Sequence, residues 1–492
     1  MEHATNLPFG LLPGHSAAAG FEKPADDPRC VWRAPRARTV PMAVFAADEL
    51  TSHKVKKVLV VSPHFPPINA PDMQRVRMAL PHLRSLGWEP TVLALDPASI
   101  EGGVREPLLE TTYPANVRIV RARGISPALT RRFGFGGLWL RCGRALRVAG
   151  ESLLRGERFD LAFFSTTQFD AFALGPRWQR KFGVRYVFDY QDPWINPYYA
   201  RTRTRPPGGK LKFAFAQFRA RRHEPGTLRD ASGIVAVSDA YGPMLAQRYP
   251  WFDATRVVFL PFGAADGDLQ IARQHTPTSL LVPRADGLIH HVYAGRGGSD
   301  LAPAVTMLLQ GFKRYLNSDP AAAGRLRLHF IGTSYAPGAA AAESIMPIAR
   351  ALGVDAFVQE HPTRVPYFDA LSYLINADAI LALGSQDATY SASKIFPYLL
   401  ARRPLLILFH HCSAVHSIAE SAGAGLRIAF GHDTDVEQTA AHIFERWFKD
   451  GAWRRVPVAA PAQLEPFTAE AMTAKLGVVF DNAVGSVRRG AV

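Results

Sequence analysis

Short, almost wholly apolar runs alternate with helical segments along most of this chain, and this alternation limits the folds that it can adopt. Lys57–Ser62, Phe159–Ser165 and Leu405–Leu408 are such runs, and they suit strands buried on both faces of a parallel sheet. After the first run come a loop, a helix with Asp72 as its expected N-cap and a strand at 89–95, which is the order of a βαβ unit. The sequence therefore predicts an α/β protein with two Rossmann-like, doubly wound domains that face a cleft.

Composition and periodicity divide the chain into five parts. Residues 1–53, rich in Pro, Ala and Gly, are expected to form a disordered extension, with a partner-binding tail as the alternative. Residues 54–265 and 288–465 are expected to be the two Rossmann-like domains, joined by a polar linker at 266–287. Residues 466–492 are expected to contain a helix that could pack back on the N-terminal domain.

Charge and cysteine content narrow the functional classes. The 492 residues carry a net charge of +15, which favours a polyanion, an anionic membrane or a phosphorylated substrate. The three cysteines lie far apart and predict no disulfide framework, and the N-terminus lacks a secretory pattern, so a cytoplasmic protein is expected. Since no apolar run approaches about 18 residues, any membrane contact is expected to be peripheral, at the inner face of the membrane.

A Gly-rich loop at 293–299 follows a predicted strand and precedes a predicted helix. Glycine lets backbone N–H groups approach phosphate oxygens, and the helix N-terminus favours negative charge. The guanidinium of Arg296 suits a diphosphate. Gly295, Arg296, Gly297 and Gly298 are therefore candidate phosphate ligands, and a plain Gly-rich turn is the alternative.

A Ser/Lys turn at 391–394 enters another predicted helix, after which the chain returns into a strand. Lys394 stands in the first helical turn, where the helix dipole prefers acidic groups, so a cation there is best explained by a bound anion. Ser391, Ser393 and Lys394 are therefore predicted to join the loop at 293–299 in one anion site. The alternative is a solvated Lys394 with one of the serines as N-cap.

Two loops of the predicted N-terminal domain carry polar groups suited to a cleft. Asp189 and Asp192 end a buried strand beside Trp194; a carboxylate there could act as a base or bind hydroxyls, and the indole could stack on a sugar ring. A turn with an anchoring Trp is the alternative. His64 could be a base or a hydroxyl ligand, and Arg75 is the better candidate for a contact with ligand phosphate.

Taken in order, these segments resemble a glycosyltransferase of the GT-B fold, in particular glycosyltransferase family 4 (group 1). The resemblance spans about residues 55–485 and rests on five segments: Lys57–Pro67 with Gln74–Val76, Asp189–Trp194, Ile234–Ser238, Val292–Gly298, and Ser393–Leu399 with Arg403–Leu405. It implies an acceptor-binding N-terminal domain and a nucleotide-sugar-binding C-terminal domain. It also implies transfer with retention, no metal and no cofactor, since the nucleotide sugar is a substrate. Gly295, Arg296, Gly297 and Lys394 would then lie at the donor.

The predicted activity is that of a hexosyltransferase, which moves a sugar from a nucleotide-sugar donor to a lipid-linked or polysaccharide acceptor in cell-envelope or exopolysaccharide synthesis. The candidate catalytic residues are Asp192 and His64, and the candidate acceptor or cleft residues are Arg75, Asp189, Trp194 and Ser238. A non-catalytic relative, and a sugar-nucleotide epimerase or hydrolase, remain alternatives. No nucleic-acid partner is expected, because zinc spacing, a basic zipper and an aromatic RNA-binding signature are all missing from the sequence.

The chain departs from the family pattern near the donor helix. The family often has two glutamates spaced around that helix, of which the later binds the ribose; Thr389 and Pro397 stand at these positions here. No Lys follows Arg296 within its loop, and Asn69-Ala70-Pro71 replaces a Gly-rich acceptor loop. These departures are what make the non-catalytic relative a serious alternative.

Two Asp-x-Asp sequences, at 266–268 and 433–435, resemble a metal motif of the other glycosyltransferase fold. The first is expected in the linker and the second at the start of a helix near Val436, so neither is predicted to hold a metal.

Two basic segments, 131–147 and 201–229, mix Lys and Arg with Phe, Leu and Trp. Basic helices that carry apolar residues can lie on anionic lipid, so these segments predict contact with an anionic membrane surface; a solvated basic face is the alternative.

Overall fold

A computed structural model of the protein describes residues 55–101, 103–131, 137–195, 209–279, 281–283, 286–334, 341–386 and 393–485. The described residues form two large parallel β-sheets with helices packed on their faces, which confirms the predicted fold class. The predicted extension at 1–53 lies outside the described residues, as do Thr389 and Ser391.

The first sheet is built from seven short segments of the N-terminal half. Its strands are β1 (Lys56–Val61), β3 (Trp88–Leu95), β5 (Arg118–Ala122), β6 (Leu161–Ser165), β7 (Arg185–Tyr190), β8 (Gly233–Ala236) and β9 (Val257–Phe259); β2 (Ile68–Asn69) and β4 (Val104–Arg105) form a separate antiparallel ribbon. The order in the sheet is β5-β3-β1-β6-β7-β8-β9, and all of its neighbours are parallel. Along β1, Leu59 and Val61 enter one apolar core while Val58 and Val60 enter another, so both faces of the strand are covered.

The second sheet has six strands, again all parallel. They are β10 (Ile289–Ala294), β11 (Leu326–Ile331), β12 (Val358–His361), β13 (Ala379–Leu383), β14 (Leu405–His410) and β15 (Leu426–Phe430). They are ordered β12-β11-β10-β13-β14-β15. Along β14, Leu405 and Ile407 enter one core and Leu406 and Leu408 the other, which explains why the sequence of this strand is continuously apolar.

Helices connect the strands and cover the sheets. In the N-terminal half they are α1 (Gln74–Leu83), α2 (Pro127–Arg131), α3 (Leu138–Gly156), α4 (Leu174–Phe182), α5 (Lys210–Arg229) and α6 (Tyr241–Arg248). In the C-terminal half they are α7 (Asp266–Gln274), α8 (Ala302–Ser318), α9 (Pro320–Ala323), α10 (Met346–Leu352), α11 (Tyr367–Asn376), α12 (Ile395–Leu400), α13 (Val415–Ser421), α14 (Val436–Ile443), α15 (Pro461–Leu464) and α16 (Ala469–Gly485). Among these described helices, none combines the length and the apolar character needed to cross a bilayer.

The last helix, α16, returns to the first sheet. Its Phe480 ring lies 5.4 Å from the Trp88 ring and 5.0 Å from the Phe163 ring, measured between centroids. Leu476 and Phe480 belong to the same apolar core as Val58 and Val60 of β1. The C-terminal end of the chain therefore completes one face of the N-terminal sheet.

The predicted linker contains a packed helix. Leu269 and Ala272 of α7 are buried in an apolar cluster with Leu371 of α11. The segment is polar in overall composition, but it forms an amphipathic helix with one apolar face. Asp268 of the same helix is buried and accepts hydrogen bonds from Arg77 at 2.8 and 2.6 Å. Asp435 accepts hydrogen bonds from the backbone N–H groups at the start of α14, which confirms the predicted cap.

Two details differ from the sequence-based expectations. Asp72 lies in a 3₁₀ turn at Pro71–Met73 rather than at the N-cap of α1, and its side chain makes no capping bond there. Of the described cysteines, Cys142 is a buried free thiol and Cys412 is disulfide-bonded, which differs from the expectation that the cysteines form no disulfide.

Candidate functional site

A crevice of about 300 Å³ lies between the two sheets, where loops that follow the carboxyl ends of strands from both sheets meet. The N-terminal half contributes Asn69, Pro71, Gln74, Phe262, Gly263 and Ala264 among its lining residues. The C-terminal half contributes Gly295, Arg296, Gly332, Arg364, Ser393, Lys394, Pro397 and Tyr398. The Gly-rich loop and the Ser/Lys turn therefore line one cavity, through Gly295 and Arg296 of the loop and Ser393 and Lys394 of the turn.

The glycines of the loop at 293–299 serve packing more than ligand binding in this structure. The backbone N–H of Gly295 donates to the carbonyl of Ile331 at 2.9 Å, and that of Gly297 donates to the carbonyl of Thr333 at 2.7 Å. A Cβ on Gly297 would lie 2.2 Å from the Ser344 hydroxyl. Gly297 and Gly298 do not line the crevice, and the N–H groups expected to bind phosphate are already used at two of the glycines.

Arg296 lines the crevice but already has an anionic partner. Its Nη1 and Nη2 donate to the two carboxylate oxygens of Asp300 at 2.8 and 2.7 Å. Burial raises the pKa of Asp300, but hydrogen bonds from Arg296 and Ser385 outweigh it and leave the pKa below its usual range. A diphosphate at this loop would therefore share the guanidinium with Asp300.

Lys394 is enclosed beside the same loop. Its Nζ donates to the Tyr293 hydroxyl at 2.6 Å and lies 4.1 Å from the centroid of that ring. A Cβ on Gly295 would be 3.1 Å from this Nζ, so any larger residue there would require the amine to shift by a few tenths of an ångström. Burial and then the positive charge of Arg296 hold the pKa of Lys394 well below its usual range, because the ammonium form has too little counter-charge around it.

The start of helix α12 is fixed to the end of β10 by Tyr398. The Tyr398 hydroxyl donates to the backbone carbonyl of Ala294 and accepts a hydrogen bond from the backbone N–H of Ala294 at 3.1 Å. Pro397, which stands where the family pattern has its later glutamate, lines the crevice, and Ser393 lines it from an exposed position. The site thus has no carboxylate at the position from which the family binds ribose.

On the N-terminal side, His64 and Asp72 form a hydrogen-bonded pair. Nδ1 of His64 lies 2.9 and 3.0 Å from the two oxygens of the Asp72 carboxylate. Thr166 and Thr167, which follow β6, also donate to Asp72. Burial lowers the pKa of His64, but the hydrogen bond and charge of Asp72 outweigh it and raise the pKa above its usual value of 6.5. His64 follows the end of β1, as predicted, and it gains a partner that its sequence position did not reveal.

Asp192 follows β7 near this pair. Its side chain is exposed at the surface, yet the surrounding protein desolvates it enough to raise its pKa to about 6, with a smaller contribution from the Asp72 charge. A carboxyl group that titrates close to neutral pH is suited to proton transfer.

Arg75 and Asp189 are in the core instead of at the ligand site, which corrects the expectation that they contact a ligand. Nε of Arg75 donates to Asp189 at 2.8 Å, and its Nη2 and Nη1 donate to the carbonyls of Leu260 and Pro261 at 2.7 and 3.3 Å. Both side chains are fully buried. Asp189 lies near the carboxyl end of β7 and Arg75 lies in the first turn of α1, and their ion pair turns both side chains inward and ties α1 to the sheet.

Trp194 and Ser238 are also placed away from the crevice. Trp194 is buried and stacks on Phe169 with ring centroids 6.0 Å apart, so its indole is part of the core and offers no face to a sugar. Ser238 accepts a hydrogen bond from the backbone N–H of Ala240 at 3.3 Å and stabilises the turn after β8. Neither residue lines the crevice.

Sequence reasoning missed three polar residues of the site: Asp72, Asp300 and Arg364. Asp300 stands four residues after Arg296, a spacing that could have predicted an ion pair. Arg364 lines the crevice from the loop after β12. It belongs to no motif that the sequence displays, so only the fold could reveal it.

Comparisons with known proteins agree with this architecture. Residues 74–263 match the family model of the glycosyl transferase 4-like domain. A search of curated protein sequences gives no match.

Three solved structures are similar to this chain over most of its length. A glycosyltransferase from Rickettsia africae superposes with a TM-score of 0.54 at 11% identity, covering 88% of this chain and 99% of that one. HepE from Anabaena, solved with UDP and glucose, has a TM-score of 0.52 at 12% identity, with coverages of 87% and 99%. A UDP-forming trehalose-phosphate synthase from Burkholderia xenovorans, solved with glucose-6-phosphate, has a TM-score of 0.54 at 12% identity, with coverages of 86% and 100%. At these identities the likeness concerns the fold.

Proposed function

We propose that this chain, which has the GT-B fold of glycosyltransferases and carries a glycosyl transferase 4-like domain, transfers a sugar from a nucleotide-sugar donor to a glycan or lipid-linked acceptor. The observation that carries the proposal is the crevice between the sheets. Cations of the C-terminal half line it on one side, and the loop that follows β1 lines it on the other, so donor and acceptor would meet there.

Lys394 and Arg296 are the groups proposed to hold the diphosphate. Departure of a nucleoside diphosphate concentrates negative charge on the leaving oxygens, and fixed cations stabilise that charge without reorganisation. Lys394 is the stronger candidate, because its Nζ donates to the neutral hydroxyl of Tyr293, whereas Arg296 is paired with Asp300. Two cations at the diphosphate would make a metal unnecessary, so the reaction is proposed to be metal-independent. Retention is proposed from the family resemblance alone.

UDP is the first nucleotide to test, because one of the structurally similar proteins was solved with UDP and another is a UDP-forming synthase. We propose calorimetric titration and thermal shift with UDP, GDP and ADP and with their glucose conjugates. A ligand at 100 times its Kd would stabilise the fold by about 2.7 kcal/mol. Lys394→Ala and Arg296→Ala are expected to weaken binding, and Lys313→Ala, an exposed residue of α8, is the matched control. Failure of every nucleotide to bind would contradict the proposal.

A non-catalytic binding protein is the second candidate, and the specific observation in its favour is Pro397 at the ribose position of the crevice. Turnover separates the two: release of UDP from UDP-glucose supports the enzyme, whereas binding of UDP-glucose without release supports the non-catalytic relative. Interconversion of the free sugar nucleotides would instead indicate the epimerase.

The acceptor is proposed to be lipid-linked or a surface polysaccharide, reached at an anionic membrane. Helix α5 carries Leu211, Phe215 and Phe218 on one stripe, with exposed fractions of 89%, 54% and 68%. Arg221 and Arg222 are exposed on the same helix, and Leu140 and Arg144 are exposed on α3. Basic helices with exposed aromatic side chains bind anionic lipid surfaces. The parts of the basic segments at 132–136 and 201–208 lie outside the described residues.

Flotation with vesicles tests the membrane contact. Wild-type protein is expected to float with vesicles of phosphatidylglycerol and phosphatidylcholine at low salt, and less at high salt. Phe215→Ser with Phe218→Ser is expected to reduce flotation, whereas Val478→Ser, an exposed apolar residue on α16, is the control. Equal flotation of both variants, or none by the wild type, would contradict the proposed surface.

A further inference from the structure

A second cavity, of about 230 Å³, lies on one face of the second sheet, where β10, β11 and β12 run side by side. Ile331 lines both this cavity and the crevice between the sheets. Three of the residues that line the second cavity are histidines: His290, His329 and His361. The proposed sugar transfer uses none of them, so their convergence on one cavity calls for a separate explanation.

Asp286, His290 and His329 form a hydrogen-bonded chain beside this cavity. Nε2 of His290 lies 3.0 Å from Oδ1 of Asp286, and Nδ1 of His290 lies 2.8 Å from Nε2 of His329. Because a carboxylate only accepts hydrogen bonds, Nε2 of His290 carries a proton. Nδ1 of the neutral His290 ring is then an acceptor, and the proton between the two rings belongs to Nε2 of His329. The chain therefore fixes the tautomers of both histidines.

This tautomer leaves the lone pair on Nδ1 of His329 available to a ligand. The His329 side chain is only 2% exposed, and its Nδ1 forms no hydrogen bond with any residue in the described part of the chain. Solvent still reaches this nitrogen, unlike Nε2 of His291, which is both enclosed and unpartnered. Since His329 lines the cavity, the unpartnered nitrogen opens into it.

The neighbouring strand β12 supplies two further ligand groups on the same face. Gln359 stands beside His329 in the parallel register, and His361 stands beside Ile331, two residues further along both strands. Alternate residues of a strand share a face, so both side chains lie on the face that carries His329. Gln359 and His361 line the cavity and are exposed, so their side chains are free to change rotamer around a bound ion.

We propose that this cavity binds a divalent late transition-metal ion, Zn²⁺ or Cu²⁺, through Nδ1 of His329 and the imidazole of His361. The amide oxygen of Gln359 and water would complete the ligand set. Imidazole suits these ions. A metal-ligating histidine usually donates its other ring N–H to an acceptor that fixes the ring, and here His290, held by Asp286, is that acceptor. The proposal does not depend on the proposed sugar transfer.

The charges around the cavity are balanced. Of the described residues that line it, Arg327 and Asp286 carry opposite formal charges, so the guanidinium does not leave the site with a net positive charge. Nη1 of Arg327 donates to the carbonyls of Gly324 and Leu326 at 2.8 and 2.7 Å, which ties one end of the guanidinium to the start of β11. The neutral imidazoles therefore determine which ion is preferred, and Cu²⁺ is expected to bind more tightly than Zn²⁺.

A second group of metal-ligating side chains has to be separated in any measurement. His410, His411 and Cys412 each offer a ligand atom, and these atoms lie within 4.8 Å of one another. Cys412 is disulfide-bonded, so its sulfur is not the thiolate that binds metals. The experiments therefore use the full chain without a histidine tag, both as wild type and with His411→Gln to remove binding at this second group.

The first test determines the tautomer without any metal. Nitrogen-15 NMR of the histidine side chains at neutral pH, assigned with single His→Gln variants, is expected to show His329 and His290 both protonated at Nε2. Addition of Zn²⁺ is expected to shift the resonances of His329 and His361 and to leave those of His82 on α1 in place. A His329 ring protonated at Nδ1 would overturn the inference, because its lone pair would then face His290 and not the cavity.

The second test measures affinity by isothermal titration with Zn²⁺ in the His411→Gln background. One ion is expected to bind. Asp286→Asn is expected to weaken binding by about 10-fold to 100-fold, because it loosens the support of the ligating ring. His361→Gln removes a ligand and is expected to weaken binding further, and its exposed position makes it harmless to folding. His82→Gln is the matched control and is expected to bind Zn²⁺ as the background does.

The third test counts the ligating nitrogens. The electron paramagnetic resonance spectrum of the Cu²⁺-loaded protein is expected to show coupling to two imidazole nitrogens, and to only one in His361→Gln. Absence of Zn²⁺ and Cu²⁺ binding in the His411→Gln background would overturn the inference, as would an affinity or a nitrogen coupling that His361→Gln leaves unchanged. These readouts need no turnover, so they are independent of whether the protein transfers sugar.

Discussion

Replacement of Lys394 by methionine tests the electrostatic reasoning at the donor site most directly. The three charges at the loop are those of Arg296, Asp300 and Lys394, and the first two cancel in a bidentate pair. In its ammonium form, Lys394 thus supplies the net positive charge that a diphosphate would meet. A charge-assisted hydrogen bond to a phosphate oxygen contributes about 1.5–3 kcal/mol, so Lys394→Met is expected to weaken UDP binding by about 10-fold to about 150-fold. Methionine keeps most of the apolar stem that packs on Tyr293.

The same residue predicts a pH dependence with a definite sign. The pKa of Lys394 in the free site is well below its usual range. As the pH rises past that pKa, a growing fraction of the protein molecules carries Lys394 as a neutral amine. A bound diphosphate favours the ammonium form, so binding takes up a proton and the affinity falls as the pH rises. When a single group titrates, the free energy of UDP binding changes by at most about 1.4 kcal/mol per pH unit, which is tenfold in Kd.

Isothermal titration of UDP between pH 6 and 9, in two buffers of different ionisation enthalpy, measures both quantities. Proton uptake is expected for the wild type and for the Lys313→Met control and is expected to be absent in Lys394→Met. The reasoning is refuted if Lys394→Met binds UDP as tightly as the wild type, or if the wild type binds UDP without a proton change.

Three further predictions probe charges that the fold has buried or paired. Arg296→Ala exposes the charge of Asp300 to the ligand, so the double variant Arg296→Ala/Asp300→Asn is expected to recover part of the UDP affinity that Arg296→Ala loses. Titration calorimetry measures both affinities, and equal losses in the two variants would contradict this reasoning. Arg77→Met leaves Asp268 unpaired in the interior and is expected to lower the free energy of unfolding in urea by about 3–5 kcal/mol, whereas a loss below about 1 kcal/mol would contradict a buried pair. Burial holds the pKa of His291 at about 3, so below about pH 6.5 this residue binds a proton in the unfolded chain but not in the folded chain. The free energy of unfolding, measured in urea, is therefore expected to fall by up to about 1.4 kcal/mol per pH unit from pH 6.5 towards pH 4. The fall is expected to be less steep in His291→Phe.

The loops at the strand ends show how far the sequence could locate the site. A parallel sheet brings the carboxyl ends of its strands to one edge, so Arg296 and Lys394 could be placed together without any knowledge of their contacts. The direction of each side chain could not be predicted in the same way. Asp189 also stands near the end of a strand, yet its side chain turns inward and forms a fully buried ion pair with Arg75 of α1.

The His64–Asp72 pair illustrates a second limit. Each residue has an ordinary interpretation in the sequence, as a lone histidine and as a helix N-cap. Their interaction depends on a 3₁₀ turn at Pro71–Met73 that points the Asp72 carboxylate towards β6 and away from the start of α1. The local sequence allows Asp72 either to cap α1 or to lie in the 3₁₀ turn before it. The hydrogen bonds from Thr166 and Thr167, which follow β6, favour the turn.

The order of apolar runs and helices determined by itself that this chain would form two parallel, doubly wound sheets, because a strand buried on both faces requires a continuously apolar sequence. It also determined which loops would share an edge, since that follows from strand direction alone. The tertiary structure decided which charged side chains in those loops face the crevice and which pair with one another in the core. That decision depends on distances between residues far apart in the chain, and no local pattern in the sequence encodes those distances.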